Sequence, residues 1–218
     1  MSNKTKTNYI EITGTVTKEP EFAFESGLAE ARYNMYEATV ATKRMSGYSD
    51  EIKAVMPEAV ASRLVKGERV TLVGNIRTYN KYNEELGRNE TKIFIYVKNS
   101  YPASSDEDTN TVKVVGTVCK QPILRQTPYE KTICDIILAV NTTRHHSDYI
   151  PTICWGRNAV QASKLEIGSK VVIEGRMQSR EYTKVINDVE VKKTAYELSC
   201  NSIKDFIEDE DDTEEITD

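Results

Sequence analysis

The sequence predicts an all-β protein that contains two tandem five-stranded barrels, each with one short helix. The first observation behind this prediction is a repeat: GTVTKEP at 14–20 returns as GTVCKQP at 116–122 in a chain of 218 residues. The second is that both halves contain short runs of alternating apolar and polar residues between turn-forming residues, which is typical of strands. A repeat at half the chain length indicates two similar domains of about 100 residues.

The repeat extends beyond the first heptad. VASRLVKGERVTLVGNI at 60–76 aligns with QASKLEIGSKVVIEGRM at 161–177, which places Gly74 opposite Gly175. YPASSDEDTN has no apolar periodicity and is expected to be a linker, and the acidic C-terminus has too few apolar residues to fold alone. The predicted division is domain 1 at 1–100, a linker at 101–110, domain 2 at 111–205 and a disordered acidic tail at 206–218.

Each half contains the same predicted elements in the same order. The strands of the first half are YIEITGTV, MYEATVAT, EIKAVM, RVTLVGNIRTY and KIFIYVKN. Those of the second half are TVKVVGTV, ICDIILAVNT, YIPTICW, KVVIEGRMQSREY and VKKTAYELSCNSI. Between the third and fourth strands, an Ala-rich helix of two to three turns is expected to end at Gly67 or Gly168. Three strands, a helix and two strands are the order of the OB-fold, a partly open barrel.

Several residues inside the strands indicate sharp bends. Glycine often marks a tight bend in a strand, as the closure of a small barrel requires. The glycines at such places are Gly14, Gly74, Gly116 and Gly175. The first strand of each half is therefore expected to bend at its glycine and to leave the sheet at Pro20 or Pro122.

The composition is that of a soluble protein, with 39% hydrophobic and 29% charged residues. No apolar run approaches the roughly 18 residues of a membrane span, and the N-terminus lacks the apolar core of a signal peptide, so a cytoplasmic, nucleoid-associated protein is expected. The net charge of −5 hides an uneven distribution, because eight acidic residues lie in the last 13. Both folded halves carry a small excess of Lys and Arg, which is compatible with an anionic partner.

Metal and catalytic sites are not expected. The four cysteines all lie in the second half without a Cys-x-x-Cys pair, and they are expected to be reduced and partly buried. His145 and His146 are the only histidines and are expected at a hairpin tip, since no other ligand completes a metal site. No nucleophile, base and orienting group form a recognisable set. The sequence therefore predicts a protein without enzymatic activity, metal or cofactor.

Four segments of the second half form a distinctive series. They are TVKVVGTVCKQPILR, ILAVNTTR, DYIPTICWGRNAVQASKLEIGSKVVIEGRMQSREYTK and the acidic C-terminus. In this order they resemble the bacterial single-stranded DNA-binding protein family, which the first half resembles mainly through its likeness to the second. The resemblance implies OB-fold domains that lay single-stranded DNA across their strands, stack its bases on aromatic rings and bind its phosphates with Lys and Arg.

The matching motifs assign specific residues to these roles. The stacking residues implied by the resemblance are Tyr149, Trp155 and Tyr182. The basic residues near them are Arg144, Arg176, Arg180 and Lys184. The first half has no clear aromatic counterpart of the three stacking residues, since Glu51, Met56 and Lys81 occupy the aligned places.

The first half nevertheless places tyrosines beside basic side chains. Aromatic rings stack on any base and cations neutralise phosphates, so these residues are candidates for nucleic-acid binding. They are Arg44 and Tyr48 in a glycine-containing hairpin, Arg77, and Tyr79, Lys81 and Tyr82 in a polar loop between the fourth and fifth strands. Tyrosines flanked by apolar strand residues are expected to be structural instead: Tyr33, Tyr36, Tyr96 and Tyr196.

The expected function is coating of single-stranded DNA in replication, recombination or repair. Two alternatives remain open: an OB-fold adaptor that binds proteins, such as a primosome-like or mobile-element accessory factor, and an OB-fold protein that binds RNA. The resemblance implies an assembly of four OB-fold domains, hence a homodimer of a two-domain chain. Acidic tails of the family end in an apolar Asp-Pro-Phe-like tip. The ending EEITD lacks it, so docking onto replication and repair enzymes is not expected.

Overall fold

A computed structural model of the chain describes residues 7–28, 31–84, 87–142, 146–186 and 189–207. Domain 1 contains β1 (Asn8–Leu28), β2 (Ala31–Lys43), β3 (Ser49–Pro57), α1 (Glu58–Ala61), β4 (Arg69–Asn83) and β5 (Arg88–Pro102). Domain 2 contains β6 (Thr109–Val118), β7 (Ile123–Gln126), β8 (Thr132–Asn141), β9 (Ser147–Trp155), α2 (Arg157–Ala162), β10 (Lys170–Ile186) and β11 (Val189–Asp205). No helix in these residues is long and apolar enough to cross a membrane.

Each domain is a closed five-stranded barrel, which confirms the predicted OB-fold. In domain 1 the ring runs β1-β2-β3-β5-β4 and returns to β1, and in domain 2 it runs β6-β8-β9-β11-β10 and returns to β6. The β3–β5 and β9–β11 pairs are parallel, whereas the other pairs are antiparallel. The short strand β7 extends the sheet beyond β8. Alternate side chains of every long strand fill the barrels, as Val70, Leu72 and Ile76 do from β4.

The two barrels are joined by a direct pairing of their first strands. Residues 8–13 of β1 lie antiparallel to 109–114 of β6, so all eleven strands form one sheet. At the centre of this pairing Ile10 lies opposite Val112, its own counterpart in the repeat. The two domains are therefore related by a pseudo-two-fold axis that passes between these residues.

The connection between the domains is shorter than the predicted linker at 101–110. Strand β5 continues through Pro102 and β6 begins at Thr109, which leaves 103–108 between them. Asp108 fixes this segment, because its carboxylate accepts hydrogen bonds from the backbone N–H of Lys43 at 2.7 Å and from the guanidinium of Arg69 at 2.6 Å.

Both helices are shorter than the predicted two to three turns. They end at Ala61 and Ala162, and the residues that follow form turns. Gly67 and Gly168 are therefore not helix stops, which corrects the prediction. Both adopt a positive φ in the turn before the fourth strand of their domain, where their N–H groups bond to the carbonyls of Val16 in β1 and Val118 in β6. The two glycines thus anchor this turn to the barrel.

Strand β1 does not leave the sheet at Pro20, in contrast to the prediction. It continues to Leu28, and Pro20 lies at a register irregularity between Lys18 and Glu21, where proline's missing N–H is tolerated. In domain 2 the corresponding chain does break, between β6 and β7.

The predicted polar loop between the fourth and fifth strands is also wrong. Strands β4 and β5 pair in unbroken register from Gly74 to Asn83, and β10 and β11 do the same from Gly175 to Ile186. Pairing of the strands satisfies the backbone N–H and C=O groups of these polar segments. Each pair of strands, β4–β5 and β10–β11, therefore forms a long arm that extends from its barrel.

At Gly74 and Gly175, two of the four glycines predicted to mark bends, the strand register shifts and the paired strands approach closely. A bulge precedes Gly74 in β4 and Gly175 in β10, and a Cβ at either position would lie 2.1 Å from a carbonyl oxygen of the partner strand. Any side chain there would push the paired strands apart at the start of the arm.

We expect Gly175→Ala to lower the free energy of unfolding by about 1 to 3 kcal/mol or more, because its methyl group overlaps the Ser199 carbonyl. Chemical denaturation of the full chain measures the loss. Thr183→Ala, at an exposed position of the same strand, is the control and should change stability far less. Equal stability of Gly175→Ala and the wild type would contradict the close approach.

Candidate nucleic-acid interface

The candidate residues of β9 share one side of the sheet. Tyr149 and Trp155 are an even number of residues apart, so both point away from the barrel core, with Ile153 between them. Their exposed fractions are 49% for Tyr149 and 37% for Trp155. Two aromatic rings of this strand are therefore accessible from solvent.

The candidate residues of β10 lie on the same side. Arg176 pairs with Ser199 of β11, and Ser199 pairs with Ile153 of β9, so these side chains share a face. Arg180 and Tyr182 follow Arg176 at even spacing, and the Arg180 guanidinium lies 5.7 Å from the centroid of the Tyr182 ring. We call this surface the outer face of domain 2, formed by Tyr149, Trp155, Arg176, Arg180 and Tyr182. The backbone of Lys184 continues the same alternation.

Arg176 brings positive charge close to domain 1. Burial lowers the pKa of Arg176, and the nearby Arg44 guanidinium lowers that pKa further. Arg44 lies at the β2–β3 hairpin, where its guanidinium stacks 4.9 Å from the centroid of the Tyr48 ring. Gly47 in this hairpin has a positive φ, and the predicted hairpin around Tyr48 is confirmed. Two arginines from different domains therefore lie near each other here, and the carboxylate of Asp50, which is ion-paired with Arg44, raises the pKa of Arg176 and partly offsets their repulsion.

Domain 1 presents a second aromatic surface, on its β4–β5 arm. Arg77 and Tyr79 of β4 lie on the same side as Phe94 and Tyr96 of β5, because Phe94 pairs with Arg77. The rings of Tyr79 and Phe94 meet edge to face with 5.8 Å between centroids, and Tyr79 is 48% exposed. We call these four residues the outer face of domain 1.

Two of these aromatic residues were not anticipated by the sequence analysis. Phe94 was not considered, and Tyr96, which was expected to be structural, is half-buried on the outward side of β5. The signal lies in KIFIYVKN, where Ile93, Ile95 and Val97 alternate with the two aromatics and are buried in the core. Strand alternation thus directs Phe94 and Tyr96 outward.

Two further candidates of domain 1, Lys81 and Tyr82, follow Tyr79 on β4. Tyr82 is exposed, but it is an odd number of residues from Tyr79 and so points to the opposite side of β4. Lys81 lies on β4 at a position that alternation assigns to the outer face. Arg144 and His145 lie outside the described residues.

The structural tyrosines divide into two groups. Tyr36 and Tyr196 pack against the core as predicted. Tyr33 is exposed on the β1–β2 hairpin, near the exposed Phe22 and Phe24, which the sequence analysis did not single out. Burial raises the pKa of Tyr196, and the nearby carboxylates Glu37 and Glu51 of domain 1 raise it further.

The counterpart of Trp155 is Pro57 rather than Met56. The burial patterns of β3 and β9 match when Glu51 is aligned with Tyr149, and this places Pro57 with Trp155 at the ends of the strands. Met56 then corresponds to the buried Cys154. Domain 1 therefore lacks aromatics on its third strand and carries them on its fifth instead.

The described residues show no other candidate chemistry. They contain no group of three His, Cys, Asp or Glu side chains that could hold a metal ion. Cys134, Cys154 and Cys200 are buried thiols and Cys119 is partly buried, as predicted. The aromatic and basic outer faces are thus the main candidate site in this part of the chain.

Comparison with known proteins agrees with this geometry. The profile of the Single-strand binding protein family matches residues 109–206. The chain is 36% identical over 80 residues to single-stranded DNA-binding protein A of Bacillus subtilis and 35% identical over 80 residues to single-stranded DNA-binding protein 2 of Listeria innocua. These alignments cover 34% of this chain and 46% and 50% of the two relatives, so the chain spans about half of their length.

Solved structures show the same fold over nearly the whole chain. The wild-type single-stranded DNA binding protein from Thermus aquaticus superposes with a TM-score of 0.69, and the match covers 92% of this chain and 93% of that one at 16% identity. A deletion mutant of the same protein gives a TM-score of 0.68 at 18% identity. At these identities the likeness establishes the tandem OB-fold.

Proposed function

We propose that this chain binds single-stranded DNA without catalysing a reaction on it, because the profile of the Single-strand binding protein family matches residues 109–206. The observation that carries the proposal is the outer face of domain 2, where Tyr149, Trp155 and Tyr182 share one side of the sheet with Arg176 and Arg180. We further propose that the protein coats and protects exposed strands during replication, recombination or repair in the bacterial cytoplasm.

The outer face has the chemistry that such binding needs. A base of any sequence stacks on an aromatic ring, and each stack contributes roughly 1 to 3 kcal/mol. Arginines beside the rings neutralise phosphates and release the counterions that surround the strand.

We propose that both domains contact the DNA. The outer face of domain 1 offers Tyr79, Phe94 and Tyr96 with Arg77, which is the same combination of rings and cation built from different strands. A strand that crosses the junction of the barrels would meet cations of both domains near Arg44 and Arg176. We therefore propose that one strand contacts both outer faces.

We also propose that two chains associate, which brings four OB-fold domains into one particle. The surface that supports this proposal is the polar side of the sheet around the β1–β6 pairing, where Tyr9, Glu11 and Lys113 are only half-buried. Covering these residues in a homodimer would leave the two outer faces of each chain accessible to DNA.

Titration of labelled oligo-dT with the full chain tests the proposed function. We expect binding, quenching of the fluorescence of Trp155, the only tryptophan, and no comparable affinity for duplex DNA. If four cations contact phosphates, a fourfold rise in salt weakens binding about 50-fold. Absence of binding at low salt and micromolar protein would overturn the proposal, and tighter binding of oligo-U would favour RNA as the ligand.

Substitution of the rings tests the site. Tyr149→Ala and Tyr182→Ala are each expected to weaken oligo-dT binding by about 5-fold to 150-fold, the equivalent of one lost stack. Ile167→Ala is the control for the loss of an exposed apolar side chain, because Ile167 lies in the turn before β10, at the end of that strand opposite to Arg180 and Tyr182. If the control weakens binding as much as the other two variants, the strand does not run along the outer face.

Sedimentation equilibrium tests the association of two chains. A homodimer has twice the chain mass of 24.7 kDa. We expect the dimer at micromolar concentration, both with and without oligo-dT. A particle of one chain mass under both conditions would contradict the proposed assembly.

A further inference from the structure

Two aspartates with no solvent exposure lie at the contact between the domains. Asp50 is the second residue of β3 and Asp148 is the second residue of β9, and the exposed fraction of each side chain is 0%. A carboxylate without solvent is stable only when hydrogen bonds and cations surround it. The partners of each aspartate therefore indicate what the residue holds in place.

Asp50 joins domain 1 to the arm of domain 2. Its Oδ2 accepts a hydrogen bond from Nε of Arg44 at 2.6 Å, and its Oδ1 accepts one from the backbone N–H of Ser179 at 2.8 Å. The hydroxyl of Ser179 in turn accepts a hydrogen bond from the backbone N–H of Glu51 at 3.0 Å. Ser179 is thus held twice by the start of β3.

Asp148 makes the corresponding contacts in the opposite direction. Its Oδ1 accepts hydrogen bonds from the backbone N–H of Thr78 at 2.7 Å and from the Thr78 hydroxyl at 3.3 Å. The Thr78 hydroxyl oxygen accepts the backbone N–H of Tyr149 at 3.0 Å. Nε of Arg77 lies 2.7 Å from Oδ2 of Asp148, as an ion pair without a directed hydrogen bond. The contacts to the backbone and the hydroxyl group therefore occur twice with the roles of the domains exchanged, whereas the paired arginine comes from the same domain for Asp50 and from the opposite domain for Asp148.

The clamped strands would otherwise have an open edge. Strand β10 pairs with β6 only as far as Gly175, so the N–H groups of that edge lose their strand partner beyond it. The side-chain oxygen of Asn110 accepts a hydrogen bond from the backbone N–H of Met177 at 2.9 Å. The next N–H group on that edge belongs to Ser179, and it donates to Asp50. In domain 1, Asn8 and Asp148 bond in the same way to Ile76 and Thr78 of β4.

We propose that Asp50 and Asp148 are crossed positioning residues, each of which aligns the DNA-binding outer face of the other domain. Ser179 lies next to Arg180 and three residues before Tyr182, and Thr78 lies between Arg77 and Tyr79. A shift of either arm would therefore move rings and cations together. The inference rests on the proposed function, and the aspartates act through the arms without contacting the strand.

Crossed double-mutant cycles in the full chain test the proposal. Asp50→Asn and Asp148→Asn keep the shape of each side chain and remove its charge. Each is combined with Tyr182→Ala, on the arm of domain 2, and with Tyr79→Ala, on the arm of domain 1. Oligo-dT affinity is measured for every single and double variant.

We expect each Asn variant alone to weaken binding about tenfold. Asp50→Asn should add little to Tyr182→Ala, because the misplaced ring is already absent, but its effect should multiply with that of Tyr79→Ala. Asp148→Asn should show the reverse pattern. If the aspartates were merely structural, the Asn variants would lower stability, but neither aspartate would couple specifically to the tyrosine on the arm of the other domain.

If the loss of affinity of all four double variants equals the product of the two single losses within about twofold, the positioning role is overturned. Coupling of Asp50 to Tyr79 within its own domain would overturn it as well. If the wild type fails to bind oligo-dT, both the inference and the proposed function are overturned. If the wild type binds and the tyrosine variants weaken binding, but the cycles show no crossed coupling, only the inference is wrong.

Milder variants keep the test decisive if the Asn variants do not fold. Ser179→Ala and Thr78→Val remove only the hydroxyl that accepts the N–H of Glu51 or Tyr149. Ser179→Ala should couple to Tyr182→Ala and Thr78→Val to Tyr79→Ala. Circular dichroism and thermal unfolding identify the variants that are folded at the temperature of the titrations. Absence of coupling in folded variants of this pair would count against the inference.

Discussion

The backbone pairing of β1 with β6 is the constraint on which the rest of the structure depends. It unites two barrels in one sheet and places Ile10 opposite Val112 at a pseudo-two-fold axis. With the barrels fixed in this way, the β2–β3 hairpin of domain 1 lies against the arm of domain 2, and the β8–β9 hairpin of domain 2 lies against the arm of domain 1. Asp50 and Asp148 lose all contact with solvent at these places, and their partners follow from the symmetry of the pairing.

The fold was predictable because its signals are local and repeated. Alternating apolar residues predicted ten strands, and the glycines before the arms lie where the strand register shifts and the paired strands approach closely. The arms themselves were missed, since polar sequences such as NKYN at 80–83 resemble a loop unless strand pairing satisfies the hydrogen-bonding groups of their backbone. The helices were overestimated because Ala-rich sequence favours a helix beyond the point where Ala61 and Ala162 end it.

The candidate site was predictable where a family motif indicated which residues of a strand point to the same side of the sheet. Tyr149, Trp155, Arg176, Arg180 and Tyr182 were predicted to work together and do share one face. In domain 1 the alignment placed Trp155 against Met56, one residue away from its true counterpart. The β2–β3 and β8–β9 hairpins are equally long, but the halves differ in length between their first and second strands and between their third strand and the end of the helix. The alternation in KIFIYVKN directs Phe94 and Tyr96 outward, but the contact of Phe94 with Tyr79 depends on the pairing of β4 with β5, which one sequence does not reveal.

The continuity of the chain through both barrels has a consequence for how the two faces can diverge. In a dimer of identical subunits every substitution appears twice, once on each side of the axis. Here a substitution appears once per pair of barrels, so Tyr79 and Phe94 coexist with Arg180 and Glu197 at equivalent places of the other arm. A nucleic-acid strand has two distinct ends, and a surface whose halves differ presents itself differently to each of them. A two-fold symmetric surface has no such direction.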